Sequence, residues 1–142
     1  MIVFDTNVIS EILKEDSSDP HVIDWFIGLP HRECRTTAIT VAELMYGVAI
    51  APKGKKRARL SGAIQAFTRT YADRTLPFDQ QSAAHYASIA AARRRMGRPI
   101  GTQDAMIAAI ARAHGAAVAT RNIKDFEGTG VALVNPWEHD RR

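Results

Sequence analysis

The chain has 142 residues, 46% hydrophobic and 24% charged, with 19 Lys and Arg against 15 Asp and Glu for a formal charge of +4. That length suits one domain over residues 1–142, and those fractions exclude wholesale disorder. The lone cysteine, Cys34, excludes an intrachain disulfide and a cysteine-built zinc site. The longest purely apolar run, Ala105 to Ala111, is too short to cross a bilayer, and Met1–Phe4 leads straight into Asp5 with no room for a signal peptide, so a cytoplasmic protein is expected.

Ile2-Val3-Phe4 is an apolar, β-branched and aromatic run that predicts a buried strand. Val8, Ile9, Ile12 and Leu13 then repeat at helical spacing, with Asp5 or Thr6 as the cap. Asp19-Pro20 predicts an N-cap followed by proline at the first helical position, for a helix that stops at Gly28. Arg35–Ile39 predicts a second strand, and Thr40 with Glu43 has the capping-box spacing for the helix after it. Pro52-Lys53-Gly54 breaks that helix. Leu60, Ile64, Phe67 and Tyr71 mark a long amphipathic one. Thr75–Phe78 is a short extended piece, and Asp79 caps an alanine-rich helix over 80–96. After the Gly97–Gly101 turn, Thr102 is expected to cap a helix from Gln103 to His114, ended by Gly115. Ala116–Thr120 and Val131–Val134 predict two more strands, and Arg141-Arg142 is expected to fray. Strands alternating with helices predict an α/β domain around a mostly parallel sheet.

Ligands of open parallel sheets bind beyond the carboxyl ends of the strands. Asp5 follows the first strand. Glu43 and Asp104 are expected in the first turns of helices, and Thr120, Asn122 and Asp125 follow the third strand. Each acid also has a plain structural role: Asp5 as N-cap, Glu43 as capping-box acid, Asp104 as a charge on a helix dipole, Asp125 as a loop residue. Their joint placement at one sheet edge is the signal. Converging carboxylates repel unless protonated or bridged by a cation. The five histidines fall at no ligand spacing, so hard oxygen donors favour Mg²⁺ or Mn²⁺, which suits phosphate chemistry. Two basic clusters, Lys53–Arg59 and Arg93–Arg98, are either solvated helix faces or grips for a phosphate backbone. Arg95, Arg98 and Arg121 are the candidate substrate-binding cations. Trp25 and Trp137 read as packing residues.

Taken in order, Ile2–Ser10, Thr40–Leu44 with Gly47, Gly101–Ala108, and Ala119–Asn122 with Lys124–Phe126 and Asn135-Pro136-Trp137 resemble the motifs of PIN-domain ribonucleases of the VapC toxin family, close to its FitB-like branch. The resemblance covers nearly the whole chain. It implies a PIN-like three-layer α/β/α fold and Mg²⁺- or Mn²⁺-dependent endoribonuclease activity. It implies that Asp5, Glu43, Asp104 and Asp125 form the acidic site, with Asp5 and Asp104 as the direct metal ligands and Thr6, Asn7, Thr120 and Asn122 in support. It further implies the toxin half of a toxin–antitoxin pair, with RNA as substrate, a small DNA-binding antitoxin as partner, and a homodimer. Two other functions stay open on the residues alone. One is a haloacid-dehalogenase-like phosphatase with Asp5 as nucleophile, disfavoured because Asn7 stands where that class wants a second Asp. The other is a non-catalytic RNA-binding domain, whose binding is sensitive to salt and indifferent to Mg²⁺.

Overall fold

The computed structural model describes residues 1–141. Ile2–Phe4 forms the first strand, β1, as its β-branched and aromatic side chains favour. Cys34–Thr37 (β2), Thr75–Leu76 (β3), Ala117–Ala119 (β4) and Leu133–Val134 (β5) complete one sheet in the order β3-β2-β1-β4-β5. Every pairing is parallel, with Ile2 opposite both Cys34 and Ala117. Around the sheet run the helices α1 (Thr6–Ile12), α2 (Pro20–Ile27), α3 (Ala38–Ile50) and α4 (Lys55–Thr70). They are followed by α5 (Gln80–Arg95), α6 (Thr102–Ala113) and α7 (Ile123–Phe126).

Successive strand residues face opposite sides of a sheet, and β1 and β4 show how this builds two cores. Phe4 and Ala119 pack with Val8, Trp25, Leu44 and Ile64, from α1 to α4. Val3 and Val118 pack with Ile89, Ile107, Ala108 and Phe126, from α5 to α7. The result is the expected three-layer α/β/α arrangement. The chain goes from β1 outward through β2 to β3, then returns to the other side of β1 as β4. The crevice beyond the carboxyl ends of β1 and β4 is therefore the topological switch point, where such sheets bind ligands.

Several local expectations hold. Asp5 caps α1, accepting from the Thr6 amide at 2.8 Å. Asp19 and Asp79 cap α2 and α5, accepting from the amides of His21 at 2.8 Å and Ser82 at 2.9 Å. Others do not. The second strand stops at Thr37, and Ala38 and Ile39 already belong to α3. The cap of α3 is Thr37, whose Oγ1 accepts from the Thr40 amide at 3.1 Å. The Thr40–Glu43 capping box therefore does not form, and Glu43 lies in the second turn of α3. Thr102 is the first residue of α6 rather than its cap, which is Gly101. Asp125 sits in the one-turn helix α7 rather than in a loop. Arg141 does not fray, since its Nε donates to Asp24 Oδ2 at 2.6 Å; Arg142, expected to fray with it, lies outside the described residues.

Candidate active site

A cavity of about 460 Å³ opens at the switch point, and Asp5, Thr6, Asn7, Glu43, Asp104, Arg121 and Asn122 line it. β1 delivers Asp5 to its floor, where the residue is 5% exposed. The Asp5 amide donates to Ala119 O at 2.9 Å, so β4 fixes the height of the residue. Oδ1 accepts from the Thr6 amide at 2.8 Å, while Oδ2 accepts from Thr120 Oγ1 at 2.8 Å and Asn7 Nδ2 at 3.0 Å. Burial pushes the Asp5 carboxyl above its ordinary value and the nearby Glu43 charge adds to this, against the hydrogen bonds from Thr120, Thr6 and Asn7. Both oxygens are held by neutral donors. Asn7 supplies an amide where a phosphatase of the aspartyl-phosphate kind wants a second acid.

Glu43 reaches the cavity from α3. Its Oε1 accepts from Thr6 Oγ1 at 2.7 Å, and Thr40 Oγ1 accepts from the same hydroxyl at 3.3 Å. Asp104 enters from the first turn of α6. Its carboxyl is pushed up to about 6, first by burial, then by the charges of Asp5, Asp125 and Glu43, with Arg93 acting the other way. The four predicted acids thus share one electrostatic field. Three of them line the cavity, and Asp125 acts on Asp104 from outside the lining.

Thr120 is fully buried behind Asp5, and its Oγ1 also accepts from the Asn122 amide at 3.0 Å. Arg121 lines the cavity. Arg95 and Arg98 do not: Arg95 is exposed, and Arg98 is tied to Glu127 Oε2 at 3.1 Å and Lys124 O at 3.2 Å. Arg93 is no surface cation at all. It is 4% exposed and donates to the carbonyls of Arg98 and Asp125 at 2.7 Å and of Glu127 at 2.9 Å.

Sequence reasoning missed Ser10, Glu11, Lys14 and Trp137, which complete the lining. Asn7, Ser10 and Glu11 share one face of α1, a spacing legible from Asn7, and Lys14 continues the same three- and four-residue spacing just beyond the helix end. The Lys14 ammonium is 3.0 Å from Glu11 Oε2, which aims it along the rim. Ser10 and Lys14 also line a second cavity of about 330 Å³, where Lys56 and Arg59 of the first basic cluster appear.

Among the described residues, no three Asp, Glu, His or Cys side chains are grouped tightly enough to hold an ion by themselves. The residues nevertheless fit a hard divalent cation. Mg²⁺ typically takes one or two carboxylates and keeps several waters, and Asp5 and Asp104 supply two carboxylates in an anionic field that a cation relieves.

A parallel sheet with three acids lining a cavity at its switch point and a fourth beside them is an arrangement suited to a nuclease, and the description PIN domain matches residues 2–130. The chain is 43% identical to the VapC ribonuclease Y4jK of Sinorhizobium fredii, over 97% of this chain and 99% of that protein. It is 42% identical to the toxin FitB of Neisseria gonorrhoeae, over 99% of this chain and 100% of that one. A solved structure of FitAB bound to a DNA fragment matches it with a TM-score of 0.91 at 39% identity, covering 100% of this chain and 99% of that chain. The chain belongs to the PIN-domain family, in its VapC ribonuclease group.

Proposed function

We propose that this chain is an endoribonuclease that hydrolyses RNA phosphodiester bonds with Mg²⁺ or Mn²⁺, and that it is the toxin of a toxin–antitoxin pair. The observation that carries the enzymatic part is the meeting of Asp5, Glu43 and Asp104 in one cavity, with Asp125 close enough to act on Asp104. A domain with no use for clustered acids gains nothing from gathering them, which disfavours a non-catalytic RNA binder.

Asp5 and Asp104 are the residues that would hold the ion. When bound, it supplies a Lewis acid that activates water and neutralises charge on the phosphate. The chain's own groups do the rest. Thr6, Asn7 and Thr120 fix the Asp5 carboxylate, so it enters the reaction already oriented. Glu43, anchored by Thr6, orients the attacking water. Asp125 adds negative field beside Asp104. Lys14 on the rim holds the phosphates of the RNA strand, and Arg121 and Asn122 line the same wall. Attack at phosphorus opposite the 3′ oxygen leaves a 5′-phosphate and a 3′-hydroxyl.

The toxin role rests on likeness to FitB and to the FitAB complex, and its partner would be a cognate antitoxin. A homodimer is supported by the solvent-facing apolar residues Met45, Tyr46 and Ile50 of α3. A cytoplasmic location fits, and among the described residues no helix is long and apolar enough to cross a membrane.

The test is cleavage of single-stranded RNA by purified protein with Mg²⁺, followed by mapping of the new ends. Activity lost in Asp5→Asn and in Asp104→Asn supports the assignment. Equal activity in both variants removes it.

A further inference from the structure

We infer that Trp137 and Arg121 form a nucleobase-stacking subsite beside the carboxylates, taking the base of the nucleotide next to the cleaved phosphate. The inference rests on the ribonuclease reading for its substrate and on geometry for its place. Among the described residues, Trp137 is the single aromatic side chain lining the acidic cavity. It is half-buried, packed on the core formed by Phe4 and Trp25 along one side and open to the cavity on the other. A short 3₁₀ turn, Pro136–Glu138, presents it, with the buried Pro136 at its start. Asn135 Oδ1 accepts from the Trp137 amide at 3.0 Å, so the ring is mounted on a fixed turn.

The Arg121 guanidinium lies over that ring, with its central carbon 5.1 Å from the ring centroid. That distance is within cation–π range, and at an exposed site such a pair is held only weakly. Arg121 is exposed, and among the described residues its guanidinium makes no hydrogen bond and no ion pair. It is free to swing and admit a flat group against the indole. The backbone ties the pair to the chemistry. The Arg121 amide donates to Asn7 Oδ1 at 3.3 Å, and Asn7 Nδ2 donates to Asp5 Oδ2 at 3.0 Å. One asparagine thus sets the distance between the stacking pair and the carboxylate floor. A cavity of about 460 Å³ has room for a phosphate over the acids and a base against Trp137. Aromatic and guanidinium planes are the groups that unstacked RNA bases seek.

The probe is 5′-AMP, which an endonuclease cannot cut, with ribose 5-phosphate as the control lacking a base. Trp25 is only 8% exposed, so quenching of intrinsic fluorescence by 5′-AMP reports on Trp137. Binding is measured in Ca²⁺ buffer by quenching and by competition. The expected result is saturable quenching by 5′-AMP, with ribose 5-phosphate competing at least about tenfold more weakly. In RNA cleavage, Trp137→Leu keeps an apolar group on the core and raises KM by about tenfold with kcat changed less than about twofold, and Trp137→Phe restores most of the loss. Equal competition by the two probes, or an unchanged KM in Trp137→Leu, overturns the subsite. RNA cleavage with no quenching keeps the nuclease and removes the subsite, whereas quenching without any RNA cleavage keeps the subsite and removes the nuclease.

Discussion

Thr6 Oγ1 donates to Glu43 Oε1 at 2.7 Å, and the amide of the same threonine donates to Asp5 Oδ1 at 2.8 Å. One residue at the start of α1 therefore sets the separation of two carboxylates that come from β1 and α3. Hydrogen bonds to charged groups contribute more than neutral ones, about 1.5–3 kcal/mol. Thr6→Val keeps the amide and the side-chain shape but removes the hydroxyl. The expected outcome is a fall in kcat of about tenfold with a stability loss of about 1 kcal/mol, read by single-turnover cleavage and urea unfolding. Thr6→Ser should keep most of the rate, and a Thr6→Val enzyme as fast as the parent would show that Glu43 needs no anchor.

Asp104 makes stability and activity depend on pH in opposite directions. Its folded carboxyl titrates at about 6 against an ordinary value of 3.8. Between those values the folded state binds more protons than the unfolded state, so stability falls as pH rises through the window, and the penalty is complete above about pH 6. The raised Asp5 carboxyl adds to it with the same sign. Asp104→Asn should therefore stabilise metal-free protein at pH 7, on the order of 1 kcal/mol after solvent screening, with the gain vanishing toward pH 4. Protons compete with Mg²⁺ for the Asp104 carboxylate, so the Mg²⁺ concentration needed for half-maximal cleavage by the parent enzyme should rise as pH falls below about 6. Urea melts in chelator at both pH values, with Mg²⁺ titrations of the cleavage rate across the same range, check both arms.

Arg93 is a buried cation whose partners are three carbonyls, Arg98 O, Asp125 O and Glu127 O, and among the described residues it forms no ion pair. It pins the end of α5 to the chain at Asp125 and Glu127. Close by, a Cβ on Gly128, which has a φ of +76°, would meet the Met96 Cε at 3.0 Å, so the chain closes tightly over this side chain. Arg93→Ala strands three acceptors and should cost about 3 kcal/mol, seen as a lower urea midpoint at constant m. Arg93→Lys brings a point charge that cannot span all three carbonyls and should recover less than half. A loss under about 0.5 kcal/mol for the alanine variant would mean that water replaces the guanidinium freely.

The contrast between Arg93 and its neighbours marks the boundary of what the chain's text reveals. Nothing local separates Arg93 from Arg94 and Arg95, since all three continue an alanine-rich helix; only the return of α7 against α5 makes one of them a clamp. Asp5 was legible because a three-residue apolar strand ending in an acid is a compact signal. Thr37 and Thr40 were not distinguishable as caps, because both are β-branched hydroxyls and the end of β2 is decided by pairing with β1 and β3. The edge strands β3 and β5 contribute two residues each, too few for a period to show. Trp137 reads as packing because half of it is; its other half faces a cavity whose lining includes Asp5, Asn7 and Lys14, all more than a hundred positions earlier.

The exposed face of α3 carries the prediction about assembly. Ala42, Met45, Tyr46, Ala49 and Ile50 follow helical steps of three and one, and Met45, Tyr46 and Ile50 are 52%, 66% and 65% exposed. Leaving such a stripe in water forgoes the roughly 25 cal/mol per Å² that burial contributes. A second copy offering the same stripe buries both at once, as a two-fold interface requires. The protein should sediment as a dimer at micromolar concentration, and Tyr46→Glu with Ile50→Glu should sediment at the mass of one chain. Those side chains face solvent within the chain, so the double variant keeps its helical circular dichroism. A parent protein that sediments as one chain at every concentration would remove the dimer and leave this face to another partner.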